Sequence, residues 1–129
     1  MIREVILVED YWKIIVYYNI DYNLFNYIAK DFYSIGTSYK TINRIYKIMK
    51  SYKAKGVTLS NKDKHISVVA FNKHKTRLDY INSIVHEAEH VKQAMLKAYK
   101  VDDKGEPPAY TIGFIVMKML RINKRLKLM

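Results

Sequence analysis

Three residues of this chain have the types and the spacing of a metal site. His86, Glu87 and His90 form the pattern H-E-x-x-H. Two histidines four residues apart lie one turn apart on the same side of a helix, so their neutral imidazoles can bind one zinc ion. Glu87 is rotated by about 100° around the helix from His86, where it can take a proton from water and later pass it to a leaving group. The pattern therefore predicts zinc chemistry carried by a histidine pair and a carboxylate base.

A catalytic zinc ion normally has a third protein ligand, which must come from elsewhere. The chain has Gln93 and Leu96 where a longer zinc motif would place a glycine and a third histidine, and it contains no cysteine. The acidic residues downstream are Asp102, Asp103 and Glu106. We predict Glu106 as the ligand, because a chain that turns back after the motif helix would return it to the histidines at the start of the next helix. The alternative for Glu106 is an acid that complements a helix N-terminus.

For other polar side chains, the sequence gives weaker support for a role in the site. Tyr110 follows Glu106 by one turn, and its phenol could donate a hydrogen bond to the oxyanion of a tetrahedral intermediate. Since the chain has twelve tyrosines, simple packing is the alternative for Tyr110. His65 and His74 lie outside any ligand spacing, and we expect both on the surface.

The motif requires a helix, and the surrounding sequence predicts one over residues 76–100. Thr76 is a suitable N-cap. Apolar residues then recur at helical spacing, at Ile81, Ile84, Ala88, Val91, Met95 and Ala98. Because His86 and His90 project away from this stripe, the alternative to metal binding is an exposed pair of polar-face residues.

The remaining segments predict a small α+β domain that covers residues 1–129. Two β-hairpins are expected, one from residues 5–8 and 12–18 and one from residues 57–60 and 65–71. Helices are expected over residues 21–33, capped by Asp21, from Ser38 onward, and from residue 107 to about residue 120. Gly113 in the last helix would permit close approach of a neighbouring element. The predicted architecture has two hairpins and about four helices, with H-E-x-x-H on a central helix.

The chain is strongly basic, with a formal net charge of +11. Its cations concentrate within residues 40–55 and 121–127, and no acidic residue lies between Asp31 and Asp63. Such stripes can bind nucleic acid, an acidic protein partner or a membrane surface, and the alternative is a solvated face. The sequence shows no secretory signal and no membrane span, so we expect a cytoplasmic protein. It leaves the oligomeric state open.

A strand, an H-E-x-x-H helix and a glutamate that opens the next helix resemble the zincin metallopeptidases of the glutamate-ligand (gluzincin-like) type. The resemblance covers about residues 65–120. It implies a zinc-dependent hydrolase that cleaves a peptide or amide bond in a peptide or protein substrate, with His86, His90 and Glu106 on the metal and Glu87 as general base. It also implies that a strand near the site pairs with an extended peptide, and residues 66–71 are the candidate.

The chain is also similar to small proteins of phages and mobile elements. These share its H-E-A-E-H core and a later G-E-x-P-A-Y-T-I-G segment, and the similarity implies no particular activity. The alternative to a peptidase is therefore a non-catalytic basic module, a phage or mobile-element component that binds nucleic acid or a protein partner. Any zinc in such a module would be structural.

Overall fold

Four strands and four α-helices make up the described part of the chain. The computed structural model describes residues 1–9, 11–100 and 106–125, and within the last range it describes the side chains of residues 110–122. The strands are β1 (Ile2–Val8), β2 (Trp12–Tyr18), β3 (Gly56–Asn61) and β4 (Ile66–Phe71). The helices are α1 (Phe25–Ser34), α2 (Tyr39–Lys50), α3 (Arg77–Tyr99) and α4 (Glu106–Arg125). The predicted α+β class, both hairpins and the helix that carries the motif are confirmed.

The four strands form one mixed sheet in the order β1-β2-β4-β3. Each hairpin is antiparallel, and the hairpins are joined by parallel pairing of β2 with β4, in which Ile15 lies opposite Val68. A parallel connection needs a long crossover, and α1 and α2 lie within it.

Strand β4 is an interior strand, so the prediction that residues 66–71 offer an edge to a peptide is wrong. It pairs with β2 on one side and β3 on the other. Its continuous apolar run, Val68 to Phe71, is buried on both faces, as expected of an interior strand. Strand β3 lies at the edge of the sheet, and all six of its residues are half-buried.

The sheet separates two apolar clusters. On β2, Ile14 and Val16 belong to the cluster shared with α3 and α4, whereas Ile15 and Tyr17 belong to the cluster shared with α1 and α2. This division follows the alternation of side chains along a strand. The helices therefore form two layers, with α1 and α2 on one face of the sheet and α3 and α4 on the other.

The predicted helix caps are present. The hydroxyls of Ser38 and Thr76 each accept a hydrogen bond from the backbone N–H three residues on, which supplies one of the partners that a helix N-terminus lacks. Asp21 accepts from the N–H of Asn23, only two residues on, and caps a 3₁₀ turn. The first α-helix consequently begins at Phe25, later than predicted.

The chain turns back after α3, as the sequence predicted, because α4 packs on α3. Ile115 and Met119 of α4 are fully buried in the same cluster as Val91 and Met95 of α3. Gly113, however, is exposed, and a Cβ atom there would meet no atom of the described residues within 4 Å, so the expected close approach does not occur among them. No helix in the described ranges is long and apolar enough to cross a membrane.

Candidate metal centre and its cavity

The imidazoles of His86 and His90 lie side by side on the solvent face of α3. Their Nε2 atoms are 3.2 Å apart, and the side chain of His86 is 70% exposed. Two nitrogens bound to the same tetrahedral zinc ion, each at 2.0–2.1 Å from it, would be about 3.3 Å apart. The pair also satisfies the distance for a hydrogen bond between the rings. Both imidazoles are exposed, and the spacing of their Nε2 atoms fits a shared metal ion.

Glu87 is buried directly beside this exposed pair. The residue is 4% exposed, and its Oε1 accepts a hydrogen bond of 2.9 Å from the hydroxyl of Thr58. Its Oε2 lies 3.9 Å from Nε2 of His86. Burial raises the pKa of Glu87 above its ordinary value, although the Thr58 hydrogen bond and the imidazoles of His86 and His90 act to lower it. One carboxylate oxygen is thus held by the sheet, and the other lies toward the histidines.

Strand β3 passes close to Glu87 at its first residue, Gly56. A Cβ atom at Gly56 would lie 3.0 Å from Cγ and 3.2 Å from Oε2 of Glu87, which is closer than ordinary van der Waals contact. Gly56 and Thr58 therefore both shape the surroundings of Glu87. Neither residue could be identified from the sequence, because no local pattern shows which strand lies against the motif helix.

His86 and Glu87 border an open cavity of about 730 Å³. Its walls come from the edge of the sheet, from α3 and from α4, and include Lys55, Gly56, Asn82, His86, Glu87 and Ile112. At the rim, Nζ of Lys55 lies 3.6 Å from Oδ1 of Asp79. The cavity is large enough for several substrate atoms to reach His86 from solvent.

His74 lies behind the cavity wall at Ser83 and is half-buried, whereas we expected it on the surface. Its Nε2 is 2.6 Å from the hydroxyl of Ser83, which lines the cavity, and its Nδ1 is 2.7 Å from the backbone oxygen of Asn72. Burial lowers the pKa of His74. His65 is also half-buried, since its ring stacks on Trp12 with the centroids 5.4 Å apart.

The two remaining predicted site residues belong to α4. Glu106 is the first residue of that helix, but its side chain lies outside the described residues, and its role as a ligand stays a prediction. Tyr110 is 72% exposed and lines a different cavity with Tyr99, near the end of α3. The structure therefore does not bring Tyr110 to the histidine pair. Among the described side chains, no three His, Asp or Glu residues form a metal-binding group.

No protein-family model, curated protein or solved structure matches this chain. The chemistry of the site therefore has to be inferred from its own side chains.

Proposed function

We propose that the protein is a zinc-dependent metallopeptidase that hydrolyses a peptide or amide bond. The observation that carries this proposal is the combination of two exposed Nε2 atoms 3.2 Å apart with a carboxylate that is 4% exposed beside them. A hydrogen bond between the rings would explain the histidine pair alone. It would not explain why Glu87 is buried beside the pair, because burying a carboxylate is costly unless its charge is compensated, and the hydroxyl of Thr58 carries no charge.

His86 and His90 are the proposed metal ligands, with Glu106 as the third. Imidazole nitrogens and a carboxylate are the ligands that catalytic zinc uses in known metallopeptidases. A zinc ion bound there would act as a Lewis acid, which acidifies water and polarises a carbonyl group.

Glu87 is the proposed general base. It accepts a proton from the attacking water through Oε2 and returns that proton to the leaving amine. Thr58 holds Oε1, so the carboxylate keeps its orientation during both transfers. Tyr110 has no part in this proposal, because it lines the other cavity.

An extended peptide is the substrate that best fits the edge of the sheet. Strand β3 is at the edge of the described sheet and begins at the cavity with Gly56. A peptide could add to such an edge through backbone hydrogen bonds, which would align its scissile bond with Glu87. This role, first predicted for residues 66–71, is now proposed for β3.

Zinc content tests the ligands. We expect about one zinc ion per purified chain by elemental analysis, and none after His86→Ala combined with His90→Ala. His65→Ala should retain the metal, because His65 packs on Trp12 away from the cavity. Zinc retained undiminished by the double variant would refute the proposal.

Glu87→Gln tests the base. The amide cannot accept the proton of water, so this variant should keep its zinc but lose turnover of a quenched fluorescent casein. Glu9→Gln, on the turn after β1, should leave turnover unchanged. Activity lost with a chelator and restored by zinc would separate a catalytic from a structural metal. Full activity in Glu87→Gln would contradict the assignment.

Glu106→Gln tests the third ligand separately. The neutral amide is a poorer zinc ligand, so we expect weaker zinc affinity with the fold retained. Affinity equal to that of the unmodified protein would exclude Glu106 and direct the search to Asp102 and Asp103.

A further inference from the structure

The outward face of α2 is a continuous cationic surface. Lys40, Arg44 and Lys47 are all exposed, and Asn43 lies among them. The three cations recur at the spacing of one helix face and extend over about 10 Å of its axis. The opposite face of α2 is buried through Ile42, Ile45 and Met49.

This charge is not balanced by neighbouring acids. Within the described part of the chain, none of the three cations on α2 has an ion-pair partner. The nearest acid that precedes α2 in sequence is Asp31. Its Oδ2 already accepts a hydrogen bond of 3.0 Å from Arg3 and another from the hydroxyl of Tyr17. Asp63, the next acid in sequence, is flanked by Lys62 and Lys64.

The cationic face belongs to a different layer from the candidate metal centre. The apolar residues of α2 pack with those of α1 on one face of the sheet, whereas α3 and α4 cover the other face. Substitutions on the outer side of α2 therefore do not touch the cavity that contains His86 and Glu87.

The chemistry of this face favours a polyphosphate partner over a membrane. A membrane-surface helix inserts its apolar side into the lipid, but the apolar side of α2 is committed to the protein core. Nucleic acid offers one phosphate charge for about every 1.7 Å of duplex axis, which is dense enough to engage all three cations. Exposed tyrosines stand at both ends of the helix, Tyr39 at 74% and Tyr52 at 54% exposure. Such rings can stack on bases.

We propose that the outer face of α2 binds the phosphate backbone of nucleic acid. Lys40, Arg44 and Lys47 contact phosphates, and Asn43 and the two tyrosines lie where bases would approach. This binding is independent of the proposed peptidase activity, because it uses neither the metal ligands nor the cavity.

The test measures binding of the full-length protein to a fluorescein-labelled 20-nucleotide DNA, both single-stranded and as a duplex, across a series of salt concentrations. We expect log affinity to fall linearly with log salt. Replacing Lys40, Arg44 and Lys47 together by glutamine should reduce the magnitude of that slope by about 2 for the single strand and about 3 for the duplex, and should weaken binding at least tenfold in moderate salt. Glutamine keeps a good helix propensity, so α2 should persist.

A matched control separates a specific face from overall charge. Lys62→Gln, Lys73→Gln and Lys97→Gln remove the same charge at exposed positions elsewhere and should leave most of the affinity. Asn43→Lys adds a cation within the face and should tighten binding. The proposal is overturned if the control triple variant loses as much affinity as the α2 triple variant. It is also overturned if a chelator abolishes binding, or if polyglutamate binds α2 as well as DNA does.

Discussion

Glu87 is an acidic residue that is buried although it borders the candidate cavity. It lies three residues after Ile84 and four before Val91, both fully buried, so helical spacing alone places it beside the apolar stripe. The sequence therefore contained the signal for its burial. The hydrogen bond from the hydroxyl of Thr58 to Glu87 could not be predicted from the sequence, because it joins residues that are 29 positions apart.

Thr58→Val should destabilise the protein, because it removes the hydrogen bond to Oε1 of Glu87 while it nearly preserves shape. Leaving a buried acceptor without this donor costs about 1–3 kcal/mol in the free energy of unfolding, measured by urea denaturation. Thr58→Ser retains the hydroxyl and should recover much of the loss. A Thr58→Val variant as stable as the unmodified protein would show that this bond does not hold the carboxylate.

His74 should make stability depend on pH. Burial lowers its pKa, and Lys55 acts in the same direction, whereas the backbone oxygen of Asn72 and the carboxylate of Asp79 oppose them. In the unfolded chain, the imidazole of His74 becomes protonated near pH 6.5, the ordinary pKa of histidine. In the folded protein, it becomes protonated only at lower pH. The contribution of His74 to the free energy of unfolding is therefore fully present above about pH 6.5, and it is lost as the pH falls toward the pKa of His74 in the folded protein.

The measurement compares urea unfolding at pH 7.5 and pH 5.5. His74→Gln should show a smaller loss of stability between these two pH values than the unmodified protein. The other three histidines are present in both proteins, so their contributions cancel. An equal loss in both proteins would mean that His74 titrates as it does in the unfolded chain.

At the scale of elements, the sequence predicted the features that depend on residues close together in the chain. The caps at Ser38 and Thr76 and both hairpins follow from side chains close in sequence. The prediction that β4 offers an edge is wrong, although the composition of the two strands of this hairpin indicates which of them is interior. Val68 to Phe71 is apolar throughout, which indicates an interior strand, whereas β3 carries polar residues such as Thr58 and Ser60.

Packing of β3 against α3 leaves little room for a side chain at Gly56. Gly56→Ala would force its Cβ against Glu87, so we expect a loss of about 1–3 kcal/mol in the free energy of unfolding. Turnover should also fall, with zinc content retained, since the carboxylate must move.

Gly113→Ala is the matched control. Gly113 lies within α4, and an added Cβ would meet no atom of the described residues within 4 Å. Because alanine has the higher helix propensity, this variant should gain about 0.5–1 kcal/mol. Both variants can be compared by thermal unfolding. Similar gains at the two positions would mean that β3 and Glu87 are not in close contact.

At the scale of the whole molecule, the parallel pairing of β2 with β4 determines how the two hairpins and the four helices are arranged. It joins the two hairpins and leaves α1 and α2 on one face and α3 and α4 on the other. This pairing relates residues about 53 positions apart, such as Ile15 and Val68, and no local pattern specifies it. The sequence could therefore predict the histidine pair, but it could not predict that the basic helix would lie on the opposite layer.

Zinc should stabilise the entire fold, because the proposed ligands come from two helices. A ligand that binds only the folded state, present at 100 times its Kd, adds about 2.7 kcal/mol. For a domain of this size, that corresponds to a rise of about 10 °C in Tm. The shift should be absent in the His86→Ala and His90→Ala double variant. Magnesium should not replace zinc, since it prefers oxygen ligands. If zinc raised the Tm of the double variant equally, the metal would be bound elsewhere, and α3 would not carry the centre.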